Sequence, residues 1–346
     1  MALFRKKAPL SRTEVLETPQ YGWIWKPLVA LVVIYLLVCI VLGIWWSWTP
    51  SPTDPRQAVQ MQRGFPQSVD TGGDDAQSPP AIAPGEALLA SNISILDTLL
   101  DKPGGYLRND VMPPGLWLDN MPNWEAGVTR QVRDAVTLLG ESLSAGDAPL
   151  AQANESLAGD LESWRWPASE TVLRAARNNL GEAFTAVENA AGPGAPNQDA
   201  AASTDAPASL DASALSDWLA QVQQRLEAQT RQLAANVGQS PNGDEQDDST
   251  PWLRIDNVFF EARGTTWALA QLMQAARIDY ADAIESSGVG ADFDQLVAEL
   301  ESSQARVWSP VILNGSGFGL FANHSLMMAN YTVRASQLVE KIRNQL

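Results

Sequence analysis

The chain has one cysteine and one histidine in 346 residues. Cys39 lies inside an apolar run, so no disulfide can form within one chain, and a thiol nucleophile or cysteine metal site is excluded outside that run. His324 stands without a His-x-x-x-His or Glu-x-x-His partner, so metal ligation would need carboxylates from elsewhere. No Gly-x-Ser-x-Gly elbow is present, and a serine triad would have to be built around that one histidine. Lysine is scarce as well: beyond residue 48 only Lys102 and Lys341 occur. Of the 23 Lys and Arg, five precede residue 49, and of the 40 Asp and Glu, two do, so the remainder carries a formal net charge of −20. Such a surface repels nucleic acid and anionic lipid headgroups, which argues against both as partners. Alternating strand patterns of useful length are also missing.

What is present starts with residues 28–48, LVALVVIYLLVCIVLGIWWSW, a charge-free run long enough to span a hydrocarbon core of ~30 Å as a helix. Trp23 and Trp25 on one flank, and Trp45, Trp46 and Trp48 on the other, suit the two membrane interfaces. Arg5, Lys6, Lys7, Arg12 and Lys26 precede the run, against Arg56 and Arg63 after it, which predicts a cytoplasmic N-terminus (1–27) and an exported remainder. A cleaved secretory signal is the competing reading. The run ends in WWSWTPSP with no small-x-small cleavage site, so an uncleaved anchor is expected.

Residues 49–84 mix Pro, Gly, Asp, Gln and Ser without a period and read as a flexible tether. Residues 191–209 and 238–251 have the same character and read as disordered loops within the domain spanning 85–346. Elsewhere the period is helical. Val128, Val132, Val136, Leu139 and Leu143 form one apolar stripe, and Leu215, Leu219, Val222, Leu226, Leu233 and Val237 a second. Val172, Ala176, Leu180, Ala183 and Val187 predict another helix, as do Met327, Tyr331, Ala335, Leu338 and Ile342. Shorter stripes lie in 86–101 and 150–164. Residues 256–286, apolar and Ala-rich, suit the centre of a bundle. The expected fold is all-α: one N-terminal transmembrane helix, then a helical bundle with two ordered Gly/Pro-rich loops.

Those loops are 102–124, KPGGYLRNDVMPPGLWLDNMPNW, and 308–324, WSPVILNGSGFGLFANH. Each holds large apolar residues in a segment that Gly and Pro keep from being a long helix. A short echo also links Asp119-Asn120 before Trp124-Glu125 with Asp256-Asn257 before Phe260-Glu261. The blocks KPGGYLRNDVMPPGLWLDNMPNWEAGV, DNVFFEARGTTWAL and SPVILNGSGFGLFANHSLMMANYTVRA resemble the signature blocks of a proteobacterial membrane-protein family catalogued as domain of unknown function 2333. That resemblance covers nearly the whole exported part. It implies a Gram-negative inner-membrane protein with a periplasmic helical domain, and it implies no activity.

Among candidate functional residues, Trp117 and Trp124 combine aromatic faces with Asp119, Asn120 and Asn123 in one loop, as a binding rim would. Most of the other exported tryptophans read as core. Asn314 opens a glycine-rich turn before a helix starting near Asn323, an arrangement that can offer N–H groups to an anion or simply be a capped turn. Candidate binding residues are therefore Trp117, Asp119, Asn120, Trp124, Asn314 and His324, with no cofactor, metal or catalytic set. The expected role is a membrane-anchored interaction or scaffold protein of the bacterial envelope, with an envelope protein as partner. The alternative is a glycan- or peptidoglycan-acting enzyme using Glu125, Glu170 or Glu261, each beside an aromatic residue that would raise its pKa.

Overall fold

A computed structural model describes residues 22–65, 81–191, 210–235, 254–306, 312 and 323–346. Among the described residues there are eleven α-helices and no strand. The first, α1 (Gly22–Trp46), is long and apolar enough to cross a membrane, with a mean hydropathy of 3.1 over Trp25–Trp46. The bundle that follows consists of α2 (Pro55–Gln62), α3 (Glu86–Asp101), α4 (Asn120–Ser142), α5 (Asp147–Ala158), α6 (Ser169–Ala191), α7 (Ala212–Ala235), α8 (Ile255–Asp279), α9 (Ala281–Ser286), α10 (Gly290–Ser302) and α11 (His324–Arg343).

Helix α8 sits at the centre and touches α3, α4, α7, α10 and α11. Its side chains from Ala262 to Met273 are buried all round, which is why this stretch lacks a polar face in sequence. Its closest neighbour is α4, which runs in the same direction. Thr265 lies against Gly127 early in both helices, and Ser142 and Tyr280 hydroxyls meet at 3.0 Å where both end. At the crossing, a Cβ on Gly127 would fall 2.2 Å from the Glu261 carbonyl oxygen, and one on Gly264 2.0 Å from that of Trp124. Gly127 and Gly264 stand 137 residues apart, as do Asp119 and Asp256, so the sequence echo marks two helices that meet by a reciprocal glycine contact.

The tether expected over 49–84 is corrected for its first part. Asp54 caps α2 by accepting from Arg56 N and Gln57 N at 2.9 and 3.2 Å, Pro55 takes the first helical position, and Ala58 and Val59 are buried on α3. Eight residues are too few to display a period and too few to hold a helix alone, so burial against α3 is what stabilises it. Residues 66–80 lie outside the described residues, as do 192–209 and 236–253, which contain most of the two predicted loops.

Two other expectations shift. The buried face of α11 is Met328, Thr332, Ala335, Val339 and Ile342: the predicted Ala335 and Ile342 lie on it, whereas Met327, Tyr331 and Leu338 sit one residue round from it. Small Ala329 and Ser336 let α11 approach α7, where the Thr230 and Thr332 hydroxyls bond at 2.8 Å, while the Tyr331 ring faces the Arg334 guanidinium. Helix α10, which no predicted stripe covers, buries Phe293, Leu296 and Leu300 against α8.

The start of α3 is capped from a distance. Gly85 has no side chain to offer, and the buried Asp279 carboxylate accepts instead from Ala87 N at 3.1 Å and Leu88 N at 2.7 Å. Burial pushes Asp279 from an ordinary 3.8 up to about 7, the Glu86 charge adding to it and the N–H donors opposing it. A carboxyl raised on folding stabilises fully below its unfolded value, and that contribution is lost as pH rises through the folded one. Wild-type stability should therefore fall between about pH 4 and pH 8, and Asp279→Asn should flatten that fall by an amount on the order of a few kcal/mol. Urea melts across this range check it; identical pH profiles for the two proteins would contradict it.

Candidate functional site

The segment 102–119 owes its shape to one buried carboxylate. Glu125, in the second turn of α4, is wholly buried and pairs with Lys102 Nζ at 2.7 Å, the lysine side chain being 1% exposed. It also accepts from Leu107 N at 2.9 Å and Arg108 N at 2.7 Å, and Lys102 Nζ donates to the Gly105 carbonyl as well. Burial pushes the Glu125 carboxyl up, while the lysine charge and these N–H groups hold it down. Further on, Tyr106 Oη donates to the Leu161 carbonyl at 2.9 Å, and Asn109 Nδ2 to Glu170 at 2.8 Å. These bonds lock the segment to residues 159–170.

The same segment meets the end of α1. Trp46 packs into the bundle with its indole against Gly104, where a Cβ would come within 2.7 Å of the ring, and the Leu118 side chain lies against Gly43. Directly after α1, the Pro50 carbonyl accepts from Trp267 Nε1 at 3.0 Å and Thr53 N donates to Gln271 Oε1 at 2.9 Å, both on α8. Between these contacts lies an open cavity of about 1100 Å³. One wall includes Ile40 and Ile44 of α1 and Ser47 just after it; the bundle wall includes Trp117, Asn120, Arg263 and Arg306.

Of the six predicted binding residues, Trp117 (55% exposed) and Asn120 thus line one cavity. Asp119 is exposed beside them and precedes α4 without capping it through its side chain. Trp124 is corrected: it belongs to α4, not to a loop, is fully buried and meets Trp267 edge-on at 4.9 Å. The Pro/Gly composition ends before it, and its neighbours Val128 and Val132 place it on the core stripe. Asn314 lies outside the described residues. His324 opens α11, half-buried near the Phe259 ring, and burial lowers its imidazole pKa. Asn323 caps that helix by accepting from Leu326 N at 2.9 Å. Trp218 and Trp267 are core, whereas Trp164 and Trp166 are exposed, Trp166 by 90%.

The three carboxylates considered for catalysis each have a partner on another element. Glu125 holds Lys102, Glu261 pairs with Arg130, and Glu170 accepts from Asn109. What the sequence reading missed is Arg263. It is 8% exposed on the central helix and donates to the Gln304 and Ala305 carbonyls at 2.9 and 3.0 Å. Arg263 is the one charged residue between Glu261 and Arg277 on that helix, and this isolation was the available signal. No curated protein and no solved structure matches this chain. The blocks that build the 102–128 segment, the α8 crossing and α11 all fall within residues 18–346, the span matched by the family described as uncharacterized protein conserved in bacteria (DUF2333), and the chain belongs to that family.

Proposed function

We propose that this bacterial protein is a membrane-anchored interaction protein of the cell envelope, with residues 28–48 crossing the inner membrane, the N-terminus in the cytoplasm and the bundle in the periplasm. It acts by binding another envelope protein and not by catalysis. The observation that carries the anchor is the seating of the α1 end in the bundle: Trp46 on Gly104, and Pro50 and Thr53 bonded to α8. A leader cleaved after residue 48 would carry Trp46 away and uncover Gly104, whereas an anchor holds the bundle directly at the bilayer. Supporting the interaction role, Trp164 and Trp166 project from the 159–168 loop, and exposed tryptophans are frequent binding hot spots.

The anchor is tested by carbonate extraction, N-terminal sequencing of the mature chain and C-terminal reporters. The expected result is a membrane-retained, uncleaved chain whose C-terminal alkaline phosphatase is active. A mature N-terminus beyond residue 48 overturns it. A photo-cross-linker replacing Trp166 in cells should give a discrete adduct with one envelope protein. Adducts with lipid alone, or none, would remove the interaction role.

A further inference from the structure

A second cavity, of about 220 Å³, lies between α4, the 102–119 segment and the 159–168 loop. Ala126, Thr129, Arg130 and Arg133 recur at helical spacing, so one face of α4 forms a wall of it. Arg108 and residues 159–162 complete the lining. Three guanidiniums thus line one opening in a chain whose acidic residues outnumber its basic ones.

Their partners differ. Arg108 pairs with Glu162 and donates to the Pro122 carbonyl at 3.0 Å, and Arg130 pairs with Glu261. The half-buried Arg133 side chain has no hydrogen-bond or ion-pair partner among the described residues, and its Nε is buried. The acids nearest in sequence or on the cavity wall are engaged elsewhere. Asp134 accepts from Arg225 Nη2 on α7 at 2.8 Å, and Asp160 accepts from Glu162 N at 2.8 Å. A guanidinium that has lost hydration without gaining an acceptor is left in deficit, and an oxyanion at its terminal nitrogens restores charge-assisted hydrogen bonds. One unpaired charge suits a carboxylate. A phosphate dianion would set two charges against it, beside the exposed side chains of Asp160 and Glu162.

The loop that forms part of the cavity also says what carries the carboxylate. Trp164 and Trp166, 57% and 90% exposed, follow Glu162 by two and four residues, at most ~7 and ~14 Å of extended chain. A peptide whose acidic side chain enters the cavity can therefore reach these rings with its neighbouring residues. Resting on the interaction role proposed above, we infer that this cavity receives an Asp or Glu side chain of the partner protein, held by Arg133, with adjoining apolar residues of the partner on Trp164 and Trp166.

The test offers the full chain, in mild detergent, two capped peptides: acetyl-Leu-Glu-Leu-amide and acetyl-Leu-Gln-Leu-amide. Saturation-transfer NMR reads binding. The glutamate peptide should bind about tenfold more tightly than the glutamine peptide, and Arg133→Gln should remove that difference. Arg174→Gln, which deletes an exposed charge on α6, should leave it unchanged. Thr129→Glu is a second variant that keeps Arg133: four residues earlier on α4, it supplies the counter-ion from within the chain and should abolish binding with helix content unchanged. Failure of both peptides to bind, equal binding of both, or a preference that survives Arg133→Gln overturns the site. Equally tight binding of inorganic phosphate overturns the assignment to a carboxylate. In cells, Arg133→Gln should remove the adduct formed through the cross-linker at position 166. An adduct that persists fails this inference alone and leaves the interaction role standing, whereas no adduct in the parent chain fails both.

Discussion

Replacing Gly264 by alanine should destabilise the bundle by about 3 kcal/mol or more, the upper range for overpacking a tight contact. The added methyl would stand 2.0 Å from the Trp124 carbonyl oxygen and 2.8 Å from its carbon, which are backbone atoms of α4 and cannot rotate away. The two helices must separate, and Trp124 and Trp267, packed edge-on beside the crossing, would lose their contact with each other. Gly127→Ala should behave alike, because its methyl meets the Glu261 carbonyl oxygen and Thr265 N. Gly181→Ala is the control. It lies mid-helix in α6 with nothing within 4 Å of the added Cβ, so alanine there should stabilise by about 0.5–1 kcal/mol through helix propensity. Denaturant melts of the three variants decide the matter. Equal shifts for Gly264→Ala and Gly181→Ala would mean that the crossing is not close.

The second large effect is expected at Lys102. Lys102→Met removes the counter-ion of a carboxylate that is wholly buried, and breaking such a pair typically costs about 3–5 kcal/mol. The loss should depend on pH in a defined sense. Burial already raises the Glu125 carboxyl, and without the lysine charge it rises further. Its neutral form is then the one the fold tolerates, so the deficit should be largest at neutral and higher pH and shrink as acid protonates the carboxyl. Lys102→Met with Glu125→Gln should recover most of the stability at neutral pH, since an amide oxygen can still accept from Leu107 N and Arg108 N. A single Lys102→Met variant within about 0.5 kcal/mol of wild type at neutral pH, the range of ordinary surface substitutions, would show that the pair does not organise the 102–119 segment.

Helices were legible in the chain wherever one face alone is buried. Of the predicted stripes, Val128, Val132, Val136 and Leu139 are buried on α4, Leu215, Leu219, Val222, Leu226 and Leu233 on α7, and Ala176, Leu180, Ala183 and Val187 on α6; Val172 and Leu143 are only half-buried, and Val237 lies outside the described residues. Legibility failed where length or symmetry hides the period. Helix α2 has eight residues, and its readable signal was the Asp54-Pro55 start, not its apolar content. For α11, Met327 and Met328 are equally apolar, and only the neighbour's shape selects Met328 for the core.

The candidate residues divide in the same way. Trp117 and Asn120 were singled out for sitting in a loop with mixed chemistry, and they do line a cavity. Trp124 had the same neighbours in sequence, but the first turns of α4 rotate it inward, and a residue's facing is set by where a helix begins. Glu125 read as a possible acid because an aromatic residue precedes it, whereas its partner Lys102 lies 23 residues earlier and is brought to it by the turn between them.

Composition and local pattern by themselves determined the all-helical class and the presence of an apolar N-terminal helix, because these depend on hydrophobic period and run length within a few turns; its bounds are Gly22–Trp46 in place of the expected 28–48. Which glycines must stay glycine, which carboxylates are neutralised, how the end of α1 is held, and that Trp117 and Asn120 meet α1 across one cavity were decided by the folded packing. Each of these is a relation between residues far apart in the chain. A close approach, a buried charge or a cavity wall exists only once the helices have met.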